Sequence, residues 1–301
     1  MLAAAFDADS RPSLVLAALR LTTFAAVVAS AVLASDARAA RVGVLANLYA
    51  SETATDFAAQ MPGHTFTAVD TLAGVPSVAS LTASFDVLLV FEDVTYAGAT
   101  AVGNAAASFA NTGRAVLLGT FSEQDRSDGP PGNSPHGWGL LETIDPNTTD
   151  GEGTPYAPRT LSLASLVPHP LTAGIGSLFS GRFAGGNQAK PGTTVVGTWA
   201  QLNARELPDP AIAYRVTGSA CVIHVAIAPH YPSIGIAGLE FGGDFYRVWK
   251  NAFDFGAAGC IVPVGSPGAG LNPVSIPTLD AWALALTVLL IAGAAAGHRR
   301  R

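Results

Sequence analysis

Chemistry in this chain would have to come from a few polar residues, and the densest group of them lies in one loop. Ser122–Trp138 (SEQDRSDGPPGNSPHGW) places Glu123, Asp125, Asp128 and His136 close together. Carboxylates beside an imidazole could gather around a ligand or a cation. The plainer alternative is a solvated loop of Gly, Pro and Ser. His230, in Ala228-Pro229-His230-Tyr231-Pro232, is a second candidate binding residue, with an ordinary loop histidine as the alternative. His224 sits inside an apolar run and is expected as a satisfied, half-buried core histidine. His169 opens a His-Pro turn and is read as structural. Asp145–Glu152 (DPNTTDGE) is oxygen-rich and contains a glycine, but its spacing departs from Asp-x-Asp-x-Asp-Gly. Cys-x-x-Cys spacing and clustered histidines are missing, so no metal is expected. Neither GxxxxGK[ST] nor GxGxxG occurs, and no cofactor is expected. Asp209–Ala213, Gly185-Gly186-Asn187 and Gly242-Gly243-Asp244 read as turns and caps.

The elements that must hold these residues alternate between strand and helix. Arg41–Asn47 is a short apolar, β-branched run that reads as a buried strand, and Phe85–Phe91 is nearly all apolar, as a strand buried on both faces should be; His64–Asp70 and Arg114–Thr120 read as further strands. Ser51–Gln60 reads as a helix with Ser51 as N-cap and Ala54, Phe57, Ala58 and Met61 on one face. Gly98–Asn111 is an alanine-rich helix stopped at Gly113. Thr193–Trp199, Ala211–Arg215 and Ala220–Ala228 read as later strands. Asp244–Gly256 reads as a closing helix with Phe245, Val248, Trp249, Ala252 and Phe255 on one side. Such alternation predicts a three-layer α/β fold: a mostly parallel sheet, right-handed crossovers and helices on both faces. Ligands in these sheets sit beyond the carboxyl ends of the strands, where the Ser122–Trp138 loop begins.

Charged residues make up 13% of the chain and the net charge is −6, which offers no basic patch for nucleic acid. The two cysteines, Cys221 and Cys260, fall at the start of a strand and just past the following helix. Those points share one end of an α/β layer, so a disulfide is expected; two unpaired small core residues are the alternative.

Both ends of the chain carry targeting features. Arg11, the apolar Leu14–Ala34 interrupted by Arg20, and Ala37-Arg38-Ala39 have the layout of a secretory signal peptide cleaved after Ala39. An uncleaved N-terminal anchor is the alternative. Ala281–Gly297 is charge-free, at the short end of membrane-spanning length, with Trp282 at its outer end and His298-Arg299-Arg300-Arg301 behind it. A buried helix of the soluble body is the alternative. The expected organisation is a leader over 1–39, a domain over 40–259, a Gly/Pro linker over 260–275 and a tail over 276–301. The tail contains a transmembrane helix over 281–297. The secretion translocon and the membrane are then partners, and the body is exported.

The tail also resembles a known signal. Ile276, Pro277, Thr278, Leu279 and Trp282, followed by an apolar helix and Arg299, Arg300 and Arg301, look like the IPTL-CTERM sorting signals of Gram-negative bacteria. Asp280-Ala281 stands where Ser-Glu is commoner, and Ala283 where Gly is frequent. The resemblance implies an exosortase-type membrane protease as partner, and a helix serving as a handle for processing.

The body resembles the glutamine-amidotransferase-like, flavodoxin-like superfamily. The residues that carry this are FDVLLVFED, FANTGRAVLLG, HPLTAGIGSL at His169–Leu178 and WKNAFDFGA at Trp249–Ala257. The resemblance implies a nucleophile elbow, Gly-x-Cys-x-Gly, which falls on Gly119-Thr120-Phe121-Ser122-Glu123. Phe121 stands in place of the cysteine and Glu123 in place of the second glycine, and phenylalanine cannot attack a carbonyl. The family's histidine falls near His230 without its following acid. The expectation is an exported, non-catalytic domain in the cell envelope, on the periplasmic side of the inner membrane or moved outward after processing. It would bind an envelope glycan, another ligand or a protein. The alternative is a hydrolase or sugar-modifying enzyme of the related trehalose-utilisation-like branch, using Glu123, Asp125, His136 or His230. A purely structural surface protein is the third possibility.

Overall fold

The computed structural model describes residues 39–72, 74–91, 98–120, 137–147, 158–181, 188–202, 206–234 and 241–262. β1 (Arg41–Ala46), β3 (Val87–Val90) and β4 (Ala115–Leu118) are buried along nearly their whole length. β2 (Thr65–Asp70) is more exposed. With the later strands β7 (Thr193–Leu202), β8 (Pro208–Thr217) and β9 (Ala220–Val225) they form one seven-stranded sheet, ordered β2-β1-β3-β4-β9-β8-β7. The pairs from β2 to β9 are all parallel.

The last two pairs, β9–β8 and β8–β7, are antiparallel, so the sheet is mostly parallel, as expected, with an antiparallel edge. The reason is length. β8 and β9 are joined by Gly218-Ser219, with Gly218 at φ 60°, and a parallel return needs a crossover of about a dozen residues or more. Asp209–Ala213, read as turn chemistry, lies inside β8. Asp209 is fully buried, 3.7 Å from Nη2 of the buried Arg159. Pro210 stands at a register shift against Thr198, where a missing N–H is tolerated.

The alternation of side chains splits each parallel strand between two layers. Val42, Val44, Val87, Leu89, Ala115, Leu117, Cys221 and Ile223 face a layer made by α1 (Ala50–Gln60) and the C-terminal α5 (Phe245–Ala257). Leu45, Leu88, Val90, Val116, Leu118 and Val222 face α2 (Val78–Ser84), α3 (Ala99–Ala110) and the segment carrying Trp138, Leu141 and Ile144. A mixed α/β domain with a mostly parallel central sheet is therefore observed.

Two details of α1 differ from expectation. The helix begins at Ala50, so Tyr49 occupies the N-cap position and Ser51 lies in the first turn; no side chain caps this end. Thr53, Ala54 and Phe57 are buried, whereas Ala58 is exposed. At 3.6 residues per turn Ala58 lies about 100° beyond Phe57, off the apolar stripe.

A second, three-stranded antiparallel sheet joins β5 (Arg159–Thr160), β6 (Leu178–Ser180) and β10 (Phe241–Gly243). Strands of two or three residues have no readable periodicity, so sequence patterning misses them. A short helix, α4 (Tyr231–Ile234), precedes β10. Cys221 at the start of β9 is bonded to Cys260 just after α5, with Cα atoms 6.3 Å apart. No helix among the described residues is long and apolar enough to cross a membrane. The leader, the linker and the tail, including Ala281–Gly297 and Ile276–Trp282, lie outside the described residues.

Candidate functional site at the carboxyl ends of the strands

The chain runs from β1 to β2 on one side and returns to β3 on the other, so strand order reverses between β1 and β3. In open α/β sheets this reversal leaves a crevice beyond the strands' carboxyl ends. Asn47 and Tyr49 follow β1, Phe91 follows β3, Thr120 follows β4, and His230 and Tyr231 follow β9. His230 is fully buried. Its imidazole lies nearly parallel between two rings: Tyr49 at 5.5 Å and 5°, and Phe91 at 5.0 Å and 11°. Tyr231 meets it edge-on at 4.9 Å. Asn47 and Thr120 are buried at the same pole of the sheet.

Two backbone features set this stack. Tyr49 adopts the left-handed conformation, φ 60° and ψ 17°, which costs a bulky residue about 1–3 kcal/mol and is held by its surroundings. Its carbonyl accepts from Thr53 N–H at 2.9 Å, starting α1. Gly119 supplies the second: a Cβ there would lie 2.7 Å from Cδ of Pro229 and 3.3 Å from Cβ of Phe91. The glycine lets the Pro229-His230 turn close onto β4. Gly119→Ala is therefore expected to destabilise the domain by about 1–3 kcal/mol and to displace the His230 ring. Urea unfolding and the histidine NMR signals would check both.

Of the sequence-level candidates, His230 is at this pole. Glu123, Asp125, Asp128 and His136, and Phe121 with them, lie outside the described residues, although the chain enters their segment directly from Thr120. Asn47, Tyr49, Thr120 and Tyr231 were not singled out as candidates. Their signal was position, one to six residues past a strand.

The other polar groups are structural. His224 is buried, with Nδ1 2.6 Å from Nδ2 of Asn147. His169 Nδ1 accepts from Leu171 N–H at 3.1 Å and closes a capping box with Thr172; burial lowers its pKa to about 4. Asp145, from the oxygen-rich stretch, is buried against the ammonium of Lys190, which also lies 3.6 Å from Glu142. The rest of that stretch, residues 148–152, lies outside the described residues. No cluster of metal-ligating groups occurs among the described residues.

Burial pushes the Asp145 carboxyl up to about 8, against the pull of Lys190 and with the added push of Glu142. A folded pKa above the unfolded value means the folded state holds the proton more tightly. The stabilisation is full below pH about 4 and is lost as pH rises through about 8. Asp145→Asn should flatten that decline, measurable as urea midpoints from pH 4 to 9.

Comparison with known proteins agrees with this architecture. Residues 274–301 match the IPTL-CTERM motif. Such a signal implies an exported, cell-envelope-associated protein handled by an exosortase-type enzyme at the membrane. No curated protein matches the chain. Among solved structures, the cytoplasmic protein STM1381 of Salmonella typhimurium is similar over 72% of this chain and 99% of its own, at 11% identity and a TM-score of 0.50. A ThuA-like protein from Parabacteroides merdae is similar over 80% and 95%, at 10% identity and a TM-score of 0.47. One from Bacteroides uniformis covers 71% and 89%, at 13% and 0.42. At these identities the likeness is one of fold.

Proposed function

We propose that this chain is an exported envelope protein whose glutamine-amidotransferase-like domain binds a ligand, an envelope glycan or a protein, without cysteine-dependent catalysis. The observation that carries this reading is the disulfide. The chain has two cysteines, and both are consumed by the Cys221–Cys260 bond. No thiol remains to attack an amide, and Phe121 stands where the elbow cysteine would be. A disulfide also suits an oxidising, extracytoplasmic compartment. In this reading the leader is removed after Ala39. The tail holds the precursor at the periplasmic face of the inner membrane until processing near Ile276–Trp282 releases the protein or moves it outward.

A sugar-modifying hydrolase of the trehalose-utilisation-like branch is the second reading. It is favoured by the position of Asn47, Thr120 and His230, which follow β1, β4 and β9 at the carboxyl pole of the sheet; Glu123, Asp125 and His136 come after Thr120 in the sequence. The mature domain should be assayed for turnover of glycosides and amides, and titrated calorimetrically with envelope glycans. Binding without turnover, weakened at least tenfold by His230→Ala, is the expected result. Turnover abolished by His230→Ala would instead establish the enzyme.

A further inference from the structure

We infer that folding of the domain seals the Ala39–Ala40 junction, so that leader removal must precede the docking of β1. This rests on the reading of residues 1–39 as a cleaved leader. Ala39 is exposed, but Ala40 is 2% exposed. The Ala40 N–H donates to Nδ1 of the buried His64 at 3.2 Å, and its carbonyl accepts from Thr65 N–H at 2.9 Å. Arg41 is held more firmly still. Its N–H donates to the Asp86 carboxylate at 3.0 Å, its carbonyl accepts from Asp86 N–H at 2.8 Å, and its guanidinium grips the same carboxylate at 2.9 and 3.1 Å.

These contacts matter because β1 lies inside the sheet, between β2 and β3. Proteases that take substrate as an added strand need a free backbone edge. From Ala40 onward the folded chain has both edges occupied. Freeing two residues past the junction would break at least five hydrogen bonds and expose the Ala40 methyl group. The last element of the domain completes the seal. Nε2 of His64 lies 3.3 Å from Asp254 on α5, and Lys250 donates to the other oxygen of that carboxylate at 2.6 Å. Burial alone would raise the Asp254 carboxyl, but His64 and Lys250 hold it below the usual range. The residue that secures the first strand therefore belongs to the last helix. The junction closes only when the domain is complete. After cleavage the nitrogen of Ala40 becomes an α-amine that still faces His64.

The test uses three forms of the full-length precursor in detergent, each treated with leader peptidase and read by mass spectrometry. One is folded and oxidised. One is freshly diluted from urea and reductant. The third is folded but carries an eight-residue Gly/Ser spacer between Ala40 and Arg41, which keeps the junction residues and moves them off the sheet. The expected result is cleavage at Ala39–Ala40 at least tenfold slower in the first form than in the other two. Equal rates in all three would overturn the inference while leaving the leader reading intact. Failure of the unfolded and spacer forms to be cut at that bond would overturn the leader reading and the inference with it.

Discussion

Phe57→Ala is expected to lower the stability of the domain by about 3–5 kcal/mol, the range for emptying a buried aromatic site. Phe57 is fully buried at the middle of α1. Its ring lies between 5.7 and 6.5 Å from those of Phe66, Phe245, Tyr246, Trp249 and Phe253. Four of these partners belong to α5, so the substitution opens a cavity where the first helix meets the last. Rings packed at steep angles cannot all turn to fill it, and the loss should sit at the upper end of the range. Equilibrium urea unfolding checks this: the midpoint should fall with little change in slope. Ala58→Ser, one residue along and exposed, should shift the midpoint by no more than about 0.5 kcal/mol.

Removing the disulfide should have a comparable effect by another route. Cys221 and Cys260 are separated by 39 residues, and opening a loop of that length frees about 4 kcal/mol of chain entropy in the unfolded state. The paired Cys221→Ser, Cys260→Ser variant should unfold at markedly lower urea concentration than the oxidised protein. Reductant should bring the wild type to nearly the same midpoint and leave the variant unmoved. The bond ties the end of α5, and the start of the linker with it, to the interior strand β9. Its loss should therefore also increase hydrogen exchange in α5.

The parallel half of the fold was readable because its residues repeat one physical signal. RVGVLA, VLLV and AVLL are buried on both faces, and such strands must be continuously apolar. The antiparallel half was harder. Gly218-Ser219 looks like any polar interruption until the two strands it joins are known to be neighbours, and Asp209 is acceptable inside β8 only because Arg159, 50 positions earlier in the chain, comes to meet it. Ser51 was a reasonable cap by composition, yet the chain uses the strained Tyr49 and starts the helix sooner. At the candidate site, His230 could be singled out as a lone histidine near a strand end. Its clamping between Tyr49 and Phe91 depends on a close approach at Gly119, a contact between residues far apart in sequence. The Cys221–Cys260 pair was legible because two points at one end of an α/β layer need no further information to be neighbours.

In the proposed reading the cell treats this chain as an exported sorting-signal protein, carrying its folded, disulfide-closed domain to the envelope and acting on the tail. The intact mass of the protein recovered from envelope fractions of its own host tests it most directly. The expected species starts at Ala40, keeps the Cys221–Cys260 bond and ends near Ile276–Trp282, without the terminal arginines. A full-length species with Arg301 still in place, or one retained in the cytoplasm with both cysteines reduced, would contradict it.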